Sequence, residues 1–155
     1  MSLGPTYDEA IEEFLAGRPI VIDPSLPKGM EPFFRSLESP TNLPFSRELW
    51  AYKLPDHITK VPNPILVVIG KKDIQVSWEL DGKPLETVLA QNTEASFTYP
   101  VNANHLLKHE ETPVEKLTPQ YVGAHYNAAN AKLDEEAVNG IFGWLDQQSR
   151  NPFQK

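Results

Sequence analysis

The stretch Pro64-Ile65-Leu66-Val67-Val68-Ile69-Gly70 decides the fold class of this chain. It is a short apolar run, rich in β-branched residues and bounded by proline and glycine. Because it is apolar on both faces of an extended chain, it predicts a strand buried in a parallel sheet. Residues 95–99 predict a second strand, because they alternate, are rich in threonine and aromatic residues, and end at Pro100.

Helical patterns follow both predicted strands. Residues 78–90 place Leu85, Val88 and Leu89 on one helix face. Residues 134–148 predict a last helix that begins at Asp134, a favourable N-cap residue. Its predicted inward stripe consists of Ala137, Val138, Ile141, Phe142 and Leu145. The order strand, helix, strand, helix predicts an α/β fold with two parallel strands joined by a right-handed crossover.

The N-terminal part of the chain differs in composition, since ten of the fifteen prolines lie in residues 5–64. Proline removes an amide donor and breaks helix interiors, so short helices and turns are expected. The predicted elements are a helix capped by Thr6 and ended by Gly17, a helix over residues 30–37, a helix that starts at Pro44 and carries Trp50, and one turn at residues 56–61.

These patterns predict a division of the chain. Residues 5–60 are interpreted as a helical cap or lid segment and residues 61–150 as the α/β portion. Residues 1–4 resemble a cloning scar, and residues 151–155 are taken as a tail.

Composition excludes several classes of function. The chain has no cysteine, which excludes disulfides, a thiolate nucleophile and cysteine-bound metal. Its 14 basic and 21 acidic residues give a net charge of −7, which argues against a nucleic-acid partner. No apolar run approaches the ~18 residues of a membrane span, and no signal peptide is evident, so a cytoplasmic protein without membrane contact is predicted. No cofactor and no metal are expected.

Polar residues follow each predicted strand. Asp73 lies three residues after Gly70, and His105 ends the sequence Asn102-Ala103-Asn104-His105. In open parallel sheets, ligands and catalytic groups lie beyond the carboxyl ends of the strands. A carboxylate there can fix the tautomer of an imidazole, which then takes a proton from a nucleophile. Asp73 and His105 are therefore the candidate catalytic pair.

The order and spacing of these residues resemble the α/β-hydrolase fold family. Residues 64–70 resemble the family's seventh strand, Asp73 its acid loop, Asn104-His105-Leu106 its histidine loop, and residues 134–148 its last helix. The resemblance covers roughly residues 60–148. It implies that Asp73 is the acid and His105 the base of a catalytic triad. It also implies that residues 5–60 are the cap that some members insert before the seventh strand.

The nucleophile of that family is missing. Members carry it upstream on a Gly-x-Ser-x-Gly turn, and no serine of this chain lies in that pattern. The upstream strands and the oxyanion-hole loop are also absent. The chain thus resembles the C-terminal part of a serine hydrolase that acts on a small-molecule substrate with an ester, amide or related acyl bond. Alone, it is expected to be inactive.

Other interpretations of the histidines stay open. Asp73 could be an ordinary turn residue, and His105 a hydrogen-bonded turn histidine. His105 and His109 are four residues apart and could share a helix face as metal ligands, although a solvated loop is favoured. Tyr121, His125 and Tyr126 could line a substrate pocket or cover the sheet edge.

A non-enzymatic role is the second hypothesis. A sheet of only two strands is marginal by itself, and an apolar strand without a neighbour exposes an unpaired edge. The chain is therefore predicted to form a homodimer or a higher oligomer. On this view it is an α/β module that works through self-association or protein binding.

Overall fold

The computed structural model describes residues 5–22, 24, 29 and 31–150, with side chains from Glu9 onward. The interpretations of residues 1–4 and 151–155 lie outside these residues. The chain divides into two compact units, Ser2–Asp56 and His57–Lys155. Within the described ranges, no helix combines the length and the apolar character that crossing a bilayer requires.

The first unit is helical. It contains α1 (Pro5–Leu15), α2 (Glu31–Glu38) and α3 (Leu43–Ala51), and α4 (Leu54–Ile58) crosses the boundary between the units. Its core is formed by the buried residues Ala10, Phe14, Ile20 and Phe34. Short helices therefore occur where the proline-rich sequence predicts them.

Two helix boundaries differ from the predictions. Helix α1 already includes Pro5, so Thr6 lies inside its first turn and is not the N-cap. Proline has the backbone angle of a first helical residue, which explains the earlier start. The turn predicted at residues 56–61 is α4, which starts at Leu54 with Pro55 in its first turn. Gly17 ends α1 as predicted, in the left-handed conformation with φ 80°.

The second unit contains the predicted parallel pair. β1 (Ile65–Val68) pairs with β2 (Ala95–Thr98), with Ile65 opposite Ala95. The connection contains a π-helical turn (Trp78–Gly82) and α5 (Lys83–Val88), where one continuous helix is predicted. Pro84 explains the division, because it lies in the first turn of α5, where its missing amide costs no hydrogen bond.

The strands are less buried than the sequence predicts. All eight residues of β1 and β2 are half-buried. One face of the sheet, with Ile65 and Val67, packs against Leu85 and Leu89 of the crossover. The sheet has only two strands in the described part of the chain, so each strand keeps one edge without a neighbour.

The last helix, α7 (Glu135–Arg150), contacts β1, but its apolar stripe is only partly buried. Ala137 is buried, whereas Phe142 is 66% and Leu145 is 48% exposed. The helix approaches the sheet through a side with small residues. A Cβ atom on Gly140 would lie 3.0 Å from Thr98 Cγ2. Phe142 and Leu145 therefore lie to one side of the contact, whereas Val138 and Ile141 are half-buried.

A further helix lies between β2 and the last helix, in a segment for which the sequence analysis predicts no element. A 3₁₀ turn (Val114–Lys116) precedes α6 (Pro119–His125). Thr118 Oγ1 accepts a hydrogen bond from Tyr121 N at 3.2 Å, and Pro119 occupies the first turn. Thr118-Pro119 is the sequence signal for this helix start, and the sequence interpretation missed it.

Candidate functional site

The loops that carry Asp73 and His105 leave the sheet side by side. Backbone hydrogen bonds continue past the strands, from Ile69 N to Thr98 O at 3.2 Å and from Lys71 N to Pro100 O at 2.9 Å. A further bond joins Lys72 N to Ala103 O at 3.1 Å. The loop after β1 is thus fixed against the loop after β2 up to the residue before Asp73.

Gly70 makes this approach possible. A Cβ atom at this position would lie 2.0 Å from the carbonyl oxygen of Ala103, far inside van der Waals contact. No other residue type fits there unless the two loops separate. The sequence interpretation used Gly70 only as a strand boundary, whereas the structure gives it a direct part in building the site.

Asp73 and His105 are brought together as the sequence predicts. Asp73 Oδ2 lies 2.9 Å from His105 Nδ1, and the Asp73 side chain is only 6% exposed. The other carboxylate oxygen, Oδ1, accepts hydrogen bonds from Gln75 N at 2.7 Å and Val76 N at 2.9 Å. Asp73 is therefore a turn residue and the partner of a histidine at once.

This contact determines which ring nitrogen of His105 is basic. An ionised carboxylate only accepts hydrogen bonds, so Nδ1 carries the proton and Nε2 keeps the lone pair. In the described part of the chain, no group hydrogen-bonds to Nε2, and the His105 side chain is 36% exposed. The pair can therefore remove a proton from a hydroxyl that approaches Nε2.

Asn104 shapes the turn that presents His105. Asn104 is only 4% exposed, and its side-chain Oδ1 accepts hydrogen bonds from Leu106 N at 3.0 Å and Lys108 N at 3.1 Å. The turn also requires a positive φ of 55° at Leu107, an uncommon conformation for a residue other than glycine. The sequence motif includes Asn104, but its position as the centre of the turn is visible only in the structure.

A second aspartate–histidine pair joins this loop to the start of α7. His109 Nδ1 lies 2.8 Å from Asp134 Oδ2, and the Asp134 side chain is 5% exposed. Asp134 Oδ1 accepts a hydrogen bond from Ala137 N at 3.1 Å, which confirms the predicted N-cap of α7. Sequence reasoning missed the pairing, because the two residues are 25 positions apart without a motif between them.

The second pair lines an open cleft of about 690 Å³. Tyr121 and His125 line the same cleft, with their rings stacked at a centroid distance of 4.1 Å. Tyr126 lies elsewhere, and its hydroxyl accepts a hydrogen bond from the Gln75 side-chain amide at 2.9 Å. Of the three residues that the sequence suggests as pocket residues, Tyr121 and His125 therefore line the same cleft, whereas Tyr126 does not.

The shared helix face that a metal site of His105 and His109 would need is not formed. Residues 105–109 form turns and single bridges and not a helix, so their spacing does not place both rings on one face. Each imidazole instead bonds to its own carboxylate. Among the described side chains, no group of three or more histidine, aspartate or glutamate residues could hold a metal ion.

The described serines of this unit take part in hydrogen bonds or lie within a strand. Ser77 Oγ accepts a hydrogen bond from Leu80 N at 3.1 Å and so caps the π-helical turn, whereas Ser96 lies within β2. Ser149 Oγ donates to Asp146 O at 2.8 Å.

Comparisons with protein families, with curated proteins and with solved structures found no match to this chain.

Proposed function

We propose that this chain supplies the acid and the histidine of a serine hydrolase of the α/β-hydrolase type, which acts on an ester, amide or related acyl bond. Asp73 is the acid and His105 is the general base. One observation carries the proposal, the 2.9 Å contact between Asp73 and His105 Nδ1 at the carboxyl ends of two parallel strands. Residues 5–60 are proposed as the cap segment, and the cytoplasm as the location.

The chemistry follows from the orientation of the ring. When a serine hydroxyl attacks the acyl carbon, its proton passes to His105 Nε2. The resulting imidazolium carries both ring protons, and the Asp73 carboxylate stabilises its charge through Nδ1. The Nε2 proton then passes to the leaving group as the acyl bond breaks. In the proposed mechanism, the serine comes from outside the described residues.

Fluorophosphonate labelling of the protein expressed from its full natural reading frame tests this proposal. We expect one serine to be labelled, and His105→Asn to slow the labelling strongly. Asparagine can still donate to Asp73 from the position of Nδ1, but it lacks the basic Nε2. His57→Asn serves as the control and should leave the rate unchanged.

Two results would contradict the proposal. One is the absence of labelling in the folded full-length protein. The other is labelling at an equal rate in the wild type and in His105→Asn.

A second candidate function is self-association. It is favoured by the exposure of Phe142 and Leu145 on α7 and by the half-exposed apolar strand β1. Phe142 and Leu145 are three positions apart and so lie next to each other on the helix, and an exposed apolar patch can mark a contact with another protein surface. A second copy of the chain is the proposed partner.

A further inference from the structure

We propose that the cleft beside the start of α7 binds a small organic cation with N–H donors, such as an amine or an amidine. The cleft is lined by His109, Tyr121, His125 and Asp134, and neither Asp73 nor His105 is among its lining residues. Its volume of about 690 Å³ lies within the usual range of small-molecule sites.

Both histidines of the cleft are arranged as hydrogen-bond acceptors. His109 Nδ1 donates to the Asp134 carboxylate at 2.8 Å, which leaves Nε2 with the lone pair. His125 Nδ1 donates to the backbone carbonyl of Tyr121 at 2.7 Å, and because a carbonyl only accepts, its Nε2 is also the acceptor. No described residue hydrogen-bonds to either Nε2 atom. A ligand with N–H donors matches both.

The buried Asp134 carboxylate fixes the His109 ring in the cleft without a ligand. Asp134 is 95% buried at its side chain, and it holds His109 with one oxygen and the first turn of α7 with the other. The loop is fixed to the same segment through His109 N, which donates to Lys132 O at 2.9 Å. The His109 ring is therefore held in position before a ligand arrives, which lowers the entropic cost of binding.

The charges around the cleft favour a cation. The residues that line it include four carboxylates, Glu110, Glu111, Asp134 and Glu135, and two ammonium groups, Lys108 and Lys132. The Lys108 ammonium already donates to Tyr126 O. Since carboxylates outnumber ammonium groups, the cleft attracts positive charge and repels anions.

Aromatic rings provide a flat surface in the same place. Tyr121 and His125 stack with an interplanar angle of 16°, and the Tyr121 hydroxyl is fixed by a 2.8 Å hydrogen bond to Thr112 Oγ1. A planar cation can stack on such a surface while its N–H groups reach an imidazole or a carboxylate. The imidazole acceptors, the excess of carboxylates and the flat aromatic surface therefore all favour a planar organic cation with N–H donors.

Three probes of one shape test the proposal with the chain itself. Benzamidine is a planar cation with N–H donors, benzamide is its neutral counterpart and benzoate is its anionic counterpart. Titrations followed by ¹H–¹⁵N NMR should show saturable benzamidine binding, with shift changes at His109, Tyr121 and His125. Benzamide should bind more weakly, and benzoate should not bind.

His109→Asn is the matched variant. Asparagine keeps a donor for Asp134 but removes the Nε2 acceptor, so benzamidine affinity should fall about tenfold while the backbone spectrum stays folded. His125→Asn, which keeps a donor for the Tyr121 carbonyl, should also weaken binding. His105→Asn should leave the affinity unchanged.

Any of three results would overturn the proposal: no saturable benzamidine binding, benzoate binding of equal strength, or loss of affinity in His105→Asn and not in His109→Asn. Each leaves the hydrolase proposal untouched, because that proposal rests on Asp73 and on labelling of a serine.

Discussion

Asp73 shows how one side chain can have two structural roles. One oxygen accepts two backbone amides of its own turn, and the other holds His105. The sequence predicts the meeting of the two side chains, because both follow strands of a parallel sheet. It does not predict the close backbone contact at Gly70, since a glycine after a strand is compatible with many turns.

Replacement of Gly70 by alanine should destabilise the fold, because the new methyl group would overlap the Ala103 carbonyl. We expect the free energy of unfolding to fall by about 1–3 kcal/mol, the usual cost of overpacking. Urea denaturation measures this change. Gly143→Ala is the control. Gly143 lies in α7, and a Cβ atom at this position would have no neighbouring atom within 4 Å. It should raise the free energy of unfolding by about 0.5–1 kcal/mol, and equal effects of the two substitutions would contradict the assignment.

Tyr99 should make the stability of the chain sensitive to alkaline pH. Burial, assisted by the nearby Glu86 carboxylate, raises the pKa of Tyr99 to about 12. The ordinary pKa of tyrosine, about 10, applies to the unfolded chain. The neutral form therefore stabilises the fold fully below pH ~10, and this contribution is lost as the pH rises towards ~12.

Urea denaturation across this range should show a loss of stability in the wild type. The loss should be smaller in Tyr99→Phe, which keeps the ring but cannot ionise. An identical alkaline loss in the variant would show that another group is responsible.

At the scale of elements, α7 and the histidine loop are joined through Asp134. The hydrogen bond from Asp134 N to Leu107 O, at 2.9 Å, adds a backbone contact to the His109 pair. The N-cap itself is predictable from Asp134 and the two glutamates that follow it. The pairing with His109 is not, because it depends on the turn at Asn104 that reverses the chain.

Asp134→Ala should remove both the cap of α7 and the partner of His109. We expect a loss of about 2 kcal/mol in the free energy of unfolding, together with faster amide exchange in the first turn of α7. Asp134→Asn keeps an acceptor for Ala137 N and should cost less. An equal effect of the two substitutions would indicate that the cap contributes nothing.

At the scale of the whole molecule, the helical and α/β units follow the change in proline content along the chain. The α/β class and the parallel strand pair could be predicted from the apolar run and the helical pattern after it. The exposure of Phe142 could not be predicted, because periodicity defines an apolar stripe without showing which part of it contacts the sheet.

This exposed surface predicts self-association. Light scattering should show a mass above that of a monomer, increasing with concentration. Phe142→Glu, which places a charge on the exposed side of α7, should shift the chain towards the monomer without unfolding it. A monomeric wild type at high concentration would contradict this prediction.

The proposed role of His105 requires that Asp73 holds its ring with Nδ1 protonated and Nε2 free to take a proton. ¹⁵N chemical shifts of the His105 ring, recorded where the imidazole is neutral, measure this tautomer directly. We expect a protonated Nδ1 in the wild type and loss of that preference in Asp73→Asn, whose amide can donate to Nδ1. A protonated Nε2 in the wild type, or the same tautomer in both proteins, would contradict it.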